Sequence, residues 1–141
     1  MKSKKNILII QKIHEDGIKL IKNNPNFQIE ITDDLSIENL KAKIKNVDAV
    51  SIRTAKLSGD IIENAKNLKV ISRHGVGYDN IDLNKAKEKE IKITITADSN
   101  AVTVAEHVMF VLLNLAKRKN LYDKTVRGGN FKDRNKLPKT I

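Results

Sequence analysis

Short aliphatic runs alternate regularly with helix-forming stretches between residues 6 and 96. This alternation restricts the possible folds of the chain more than any other feature of its sequence. Five runs have the length and the branched aliphatic content of strands. They are Asn6–Ile10, Phe27–Ile31, Val47–Ile52, Lys69–Ser72 and Lys92–Thr96. A strand followed by a helix returns to its sheet through a right-handed crossover. The alternation therefore predicts a parallel sheet with helices on both faces.

The stretches between the runs carry helix signals. Residues 14–23 have a helical pattern in which Ile18 and Ile21 face inward, and Ser36, Ser58 and Asp82 can each cap a following helix. Five strand–helix units fit an α/β fold, a flavodoxin-like open parallel five-stranded sheet. In that architecture, ligands bind at the carboxyl ends of the strands.

The last predicted helix differs from the others. Thr103 and Glu106 have the spacing of a capping box, and the residues from Val108 to Ala116 are apolar nearly all round. Such a helix is normally buried, yet the residues after Arg118 are polar and offer little to cover it. We expect three parts: a flavodoxin-like, substrate-binding domain at residues 1–100, an interdomain helix at 101–120 that leads to a missing domain, and a polar tail or linker at 121–141.

Composition excludes several classes of site. The absence of cysteine rules out disulfides and thiolate chemistry, and the apolar run after the basic N-terminus is too short for a signal peptide or a membrane span. We expect a cytoplasmic protein with no membrane partner. The net charge of +10 fits a solvated surface, an anionic small substrate or a nucleic-acid partner. The basic residues are spread along the chain without interleaved aromatics, so we expect no nucleic-acid partner.

Polar side chains and glycines follow three of the predicted strands. Arg73 precedes a turn containing Gly75 and Gly77, whose N–H groups can form a nest for an anion, and an arginine can hold a carboxylate or a phosphate. Arg53 and Thr54 end the third strand, and Asn100 follows the fifth. Taken singly, each is equally typical of an ordinary turn or solvated loop. Their common place at carboxyl strand ends predicts a binding site.

Other kinds of site find little support. The glycine turn lacks the third glycine of the G-x-G-x-x-G dinucleotide fingerprint, since Asn80 stands in that position. His74 has no carboxylate in sequence to orient it as a base, and no histidine spacing indicates a metal. We expect no metal site.

These motifs together resemble the D-isomer-specific 2-hydroxyacid dehydrogenases over about residues 6 to 137. The turn from Gly75 to Asp82 is similar to that family's G-x-G-x-D-N-[IV]-D, and the stretch from Asn100 to Glu106, with Arg118 twelve residues later, is similar to its interdomain helix. Arg53-Thr54 is similar to its Arg-Ser or Arg-Thr pair.

The resemblance implies the substrate-binding part of a dehydrogenase that transfers hydride between a 2-hydroxy acid and NAD or NADP. It implies that the substrate side of the cleft is lined by Arg53, Thr54, Arg73, Gly75, Gly77 and Asn100. Arg73 ahead of the turn is most similar to the 3-phosphoglycerate dehydrogenases. The family's cofactor glycines and catalytic residues would follow Ile141, so we expect this chain alone to hold no cofactor and no catalysis, and the full-length enzyme to be a homo-oligomer.

A free-standing flavodoxin-like interaction or regulatory module is the alternative. A phosphoacceptor module needs a carboxylate at the end of the third strand and an acidic pair near the first. Arg53-Thr54 and Gln11-Lys12 occupy those places instead.

Overall fold

A computed structural model describes residues 4–130 and 132 of the chain. The described residues form five strands: β1 (Lys5–Ile10), β2 (Phe27–Thr32), β3 (Ala49–Ile52), β4 (Val70–Arg73) and β5 (Lys92–Ile95). The helices are α1 (Glu15–Lys22), α2 (Ile37–Lys43), α3 (Gly59–Glu63), α4 (Leu83–Glu88), α5 (Ala101–Ala116) and α6 (Lys119–Arg127), with a 3₁₀ turn at Ile44–Asn46. The chain divides into two compact units, residues 1–99 and 100–141.

The first unit is built on one parallel sheet with strand order β2-β1-β3-β4-β5. This order reverses direction between β1 and β3, as in flavodoxin-like sheets. The predicted fold class is therefore confirmed. The strands start and end within two residues of their predicted limits: β3 begins at Ala49 because the 3₁₀ turn precedes it, and β5 ends at Ile95.

The core lies on the sheet face covered by α2, α3 and α4. Alternate strand residues point into it, including Leu8, Val50 and Ile71, each at most 1% exposed. Leu40 from α2, Ile61 and Ile62 from α3 and Ala86 from α4 pack in the same cluster. Burying a side chain of this size contributes about 1.5–3 kcal/mol.

The helix starts agree with the predictions only in part. Asp82 caps α4 as expected, because its carboxylate accepts a hydrogen bond from the N–H of Lys85 at 3.0 Å. Ser36 and Ser58 occupy the N-cap positions of α2 and α3, but neither side chain makes a capping hydrogen bond.

In the second unit, the predicted capping box is wrong. α5 begins at Ala101, and the carbonyl of Asn100 already accepts a hydrogen bond from the N–H of Val104 at 2.9 Å. Thr103 and Glu106 therefore lie inside the helix. The N–H of Glu106, which a capping box would leave to the Thr103 hydroxyl, belongs instead to the helical hydrogen-bond ladder. α5 also ends at Ala116, four residues before the expected limit at residue 120.

Part of the expected polar tail is helical. α6 covers Lys119–Arg127 after Arg118 adopts a left-handed conformation with φ of 49°. Leu121, Tyr122, Thr125 and Val126 recur at helical spacing, which gives this segment one less polar side. The remainder of the expected tail, residues 131 and 133–141, lies outside the described residues.

Candidate functional site

Backbone geometry at the turn after β4 depends on Gly75. Its φ is +151°, a conformation that residues with a Cβ rarely adopt, and a Cβ there would lie 1.9 Å from Nη1 of Arg73. The Gly75 N–H donates to the Arg73 carbonyl at 3.0 Å, and the Gly75 carbonyl accepts from the N–H of Thr96 at 3.1 Å. Both backbone groups of Gly75 are thus used to fold the turn against the end of β5.

The next two peptide groups are different. Within residues 4–130, no protein group accepts a hydrogen bond from the N–H of Val76 or of Gly77. Val76 and Gly77 are both exposed. Two consecutive free N–H donors in a turn form a site for one anionic group. Of the backbone donors in this turn, those of Val76 and Gly77, and not that of Gly75, are therefore available to the predicted anion nest.

Asn80 joins this turn to the loop after β3. Its Nδ2 donates to the carbonyl of Ala55 at 2.7 Å and to that of Arg53 at 3.2 Å, while its Oδ1 accepts from Nε of Arg73 at 3.3 Å. Nη1 of Arg73 donates to the carbonyl of His74. The side chain of Asn80 therefore holds the loop that contains Arg53 and the end of β4 that carries Arg73 in fixed positions relative to each other.

The loop after β3 is also held from β1. Gln11 follows β1 directly with φ of 69°, and its Oε1 accepts from the N–H of Thr54 at 2.8 Å and of Ala55 at 2.9 Å. Its Nε2 donates to Oγ1 of Thr54 at 3.0 Å. Neither Gln11 nor Asn80 was predicted from the sequence to be a site residue. The available signal was a side-chain amide at a carboxyl strand end and a second one inside the glycine turn.

The structure brings five of the six predicted site residues together. Arg53, Thr54, Arg73, Gly75 and Gly77 all lie at the carboxyl edge of the sheet, in two loops tied to each other by Asn80. Arg53 and Thr54 are exposed, and among the described residues neither Arg53 nor Arg73 pairs with a carboxylate. The two loops thus carry two guanidinium groups without a carboxylate partner among the described residues, together with two free N–H donors. Asn100 belongs to the second unit, where it is the N-cap residue of α5.

The side chain of His74 faces a groove of about 460 Å³ along the sheet face that carries α1. The groove is lined mainly by apolar and small residues, with His14 and Thr96 at the same end of the sheet. His74 makes no side-chain hydrogen bond with a described residue, so no carboxylate orients its ring as a base.

The described part of the chain contains neither a metal site nor a membrane-spanning helix. Residues 4–130 and 132 contain no group of three or more histidine, aspartate or glutamate side chains placed to hold a metal ion. None of the helices found there has the length and hydropathy needed to cross a bilayer.

The sequence of the chain is similar to those of several known dehydrogenases and reductases. A D-3-phosphoglycerate dehydrogenase from Methanocaldococcus jannaschii is 39% identical over 79% of this chain and 21% of its own length. A glyoxylate reductase from Thermococcus onnurineus is 35% identical over 93% of this chain and 40% of its own length. The chain thus spans well under half the length of these relatives.

A crystal structure of 3-phosphoglycerate dehydrogenase from Entamoeba histolytica with bound NAD⁺ has the same fold. It superposes on 84% of this chain with a TM-score of 0.70 and 26% identity, and the match covers 41% of that protein. The model of the family described as "D-isomer specific 2-hydroxyacid dehydrogenase, catalytic domain" matches residues 7–130. The chain therefore belongs to the D-isomer specific 2-hydroxyacid dehydrogenase family.

Proposed function

We propose that this chain supplies the substrate-binding side of an NAD- or NADP-dependent D-2-hydroxyacid dehydrogenase. The observation that carries the proposal is the pair of free N–H groups at Val76 and Gly77 beside Arg53 and Arg73. Two adjacent N–H donors can each bond one oxygen of a carboxylate, and the arginines supply positive charge in the same loops. Family membership supports this assignment.

Orientation of the substrate is the task of this site. Fixing both oxygens of the carboxylate fixes C1 and C2, which leaves rotation about the C1–C2 bond as the main freedom to be removed before hydride leaves C2 toward the nicotinamide. In this proposal Asn80 and Gln11 are positioning residues, because they hold the loops that carry Arg53, Thr54 and Arg73. Asn100 at the start of α5 remains a proposed substrate-site residue.

The turn from Gly75 to Asn80 does not fit the pyrophosphate of a nicotinamide cofactor. The glycine turn has no third glycine, and the side chain of Asn80 at that position is engaged with the carbonyls of Arg53 and Ala55. A Rossmann pyrophosphate site needs a glycine there for close packing of helix and strand. We therefore assign cofactor binding and the catalytic acid and base to a nucleotide-binding domain outside this chain, in a cytoplasmic homo-oligomeric enzyme.

The substrate class that fits is a small anionic 2-hydroxy or 2-oxo acid. Relatives named for phosphoglycerate, glyoxylate and hydroxypyruvate resemble the chain at 39%, 35% and 45% identity. A substrate with a phosphate would place it near the second arginine, which agrees with Arg73 ahead of the turn.

Amide NMR of the chain tests the carboxylate site. D-lactate, at concentrations up to tens of times its dissociation constant, is expected to shift the Val76 and Gly77 amide resonances, whereas uncharged lactamide is not. Arg53→Gln should weaken the response, and Lys22→Gln on α1 should leave it unchanged. Resonances of Val76 and Gly77 that stay fixed for every acid, in a chain with a folded spectrum, would remove the proposal.

A further inference from the structure

A concavity of about 430 Å³ lies at the amino edge of the sheet, opposite the candidate substrate site. Four lysines line it: Lys4, Lys5, Lys66 and Lys69. Among the described residues that line it, Asp48 supplies the single carboxylate, and Asn6, Asn46 and Asn67 supply side-chain amides. The lining therefore carries a clear excess of positive charge.

Asp48 cannot neutralise this charge. Its Oδ1 accepts from Nζ of Lys5 at 2.8 Å, and its Oδ2 accepts from the N–H of Asn6 at 2.9 Å. The hydrogen bond from Lys5 lowers the pKa of Asp48, and the Asn6 N–H adds to this effect against the opposing influence of desolvation. Asp48 is thus an ionised carboxylate fully committed to Lys5 and to the backbone.

The other three lysines have no such partner. Elsewhere in the first unit, six lysines lie within 4.0 Å of an aspartate or glutamate oxygen, namely Lys12, Lys19, Lys41, Lys43, Lys85 and Lys89. Lys22, Lys45, Lys56, Lys87 and Lys92 form no ion pair with a described residue, but they do not line the concavity. Lys4, Lys66 and Lys69 have no ion pair with any residue in the described part of the chain. Ammonium groups gathered without carboxylates repel one another, so an anion bound among them would be stabilised.

Backbone hydrogen bonds fix the lysine-bearing loops against each other. The N–H of Lys66 donates to the carbonyl of Lys45 at 3.1 Å, and the N–H of Lys69 donates to that of Asp48 at 2.9 Å. The carbonyl of Lys69 in turn accepts from the N–H of Lys92 at 3.0 Å. These bonds hold the segments that carry Lys66 and Lys69 in fixed positions at the amino edge of the sheet.

We propose that this lysine-lined concavity binds a short polyphosphate chain, such as a triphosphate. Its volume suits a compact anion, lysine is a usual point-charge ligand for phosphate, and the asparagine amides add neutral donors. No aromatic side chain lines it, so it lacks the stacking platform with which proteins hold single-stranded nucleic acid.

Calorimetric titration of the chain with sodium triphosphate tests the proposal. Lys66→Gln/Lys69→Gln is expected to weaken binding about tenfold or more, because two charge-assisted contacts are lost. Lys19→Gln/Lys41→Gln is the matched control. It removes the same charge from helices outside the concavity and should change the affinity by less than about twofold.

Three results would overturn the proposal. One is an absence of triphosphate binding at low salt. Another is equal weakening in the two double variants, which would indicate a response to net charge alone. The third is much tighter binding of oligouridylate, with affinity rising with its length, which would indicate a nucleic-acid surface. Amide NMR separates this site from the substrate site. Triphosphate should shift Asn46 and Asn67, and Lys66→Gln/Lys69→Gln should abolish those shifts while leaving the response of Val76 and Gly77 to D-lactate unchanged.

Discussion

Oε1 of Gln11 accepts a hydrogen bond from the backbone N–H of Thr54 at 2.8 Å, across 43 positions of sequence. Gln11 comes directly after β1 and Thr54 shortly after β3, and these two strands are neighbours in the sheet. The contact therefore links two carboxyl strand ends with a single side chain. It orders the loop that presents Arg53 and Thr54 to the candidate substrate site.

Replacement of Gln11 by alanine is expected to loosen that loop while the sheet remains intact. The variant loses the acceptor for the N–H groups of Thr54 and Ala55. Each bond contributes about 0.5–1.5 kcal/mol, so exchange of these two amides should accelerate about tenfold. Hydrogen-exchange NMR measures this effect, with Gln28→Ala on β2 as the control. Unchanged protection of both amides would show that Gln11 does not hold the loop.

Gly75→Ala should destabilise the first unit by about 1–3 kcal/mol, the usual cost of placing a side chain in a sparsely populated backbone conformation. The new Cβ also displaces the Arg73 guanidinium from its bonds to Asn80 and His74. Gly77→Ala is the matched control, because its φ is not positive and its Cβ would meet only Oδ1 of Asp79, at 3.0 Å. Urea unfolding compares the two, and equal losses would argue against a special role for Gly75.

Stability at acid pH should depend on Asp48. Its carboxyl has a folded-state pKa below the ordinary value of 3.8, chiefly because Lys5 donates to it. A depressed pKa contributes stability that is fully present above the unfolded-state pKa and is lost as the pH falls through the folded-state pKa.

Asp48→Asn is therefore expected to lower the free energy of unfolding by about 1 kcal/mol near neutral pH. This difference should shrink below about pH 4. Thermal unfolding across pH 2 to 7 measures it. Asp98→Asn serves as the control, since Asp98 makes no ion pair within the described residues. A difference between wild type and Asp48→Asn that is constant down to pH 2 would be inconsistent with this linkage.

The chain should self-associate through α5. Its large apolar side chains are 38–72% exposed, and they include Phe110, Leu112 and Leu115. Contiguous exposed apolar surface of this kind is typical of an interface. We expect the sedimentation-equilibrium mass to rise with concentration, and Leu112→Glu/Leu115→Glu to reduce that rise. Leu83→Glu on α4 is the control. A monomer at all concentrations would contradict this prediction.

Much of the fold follows from local sequence. Short aliphatic runs separated by capped helices leave few arrangements once crossovers must be right-handed, which is why the parallel sheet could be predicted. Arg53, Thr54, Arg73, Gly75 and Gly77 were located by the rule that ligands bind at carboxyl strand ends.

Features that depend on contacts distant in sequence could not be predicted. The role of Gln11 requires the neighbouring positions of β1 and β3, and that of Asn80 requires the approach of two loops. The prediction of a capping box at Thr103 was wrong because the helix begins earlier, at Ala101. Alanine has a high helix propensity, which favours this earlier start. That the N–H groups of Val76 and Gly77 are free can be recognised only from the positions of all neighbouring acceptors, which the sequence does not reveal.

The most direct test of the proposed dehydrogenase function is whether the full-length product of the gene encoding this chain reduces NAD⁺ or NADP⁺. 3-Phosphoglycerate and a panel of D-2-hydroxyacids would be compared with their L-isomers. We expect turnover with at least one D-acid and none with its L-isomer, and Arg53→Gln should raise KM about tenfold or more because a charged contact to the carboxylate is lost. A folded full-length protein that turns over no D-2-hydroxyacid with either cofactor would contradict the account.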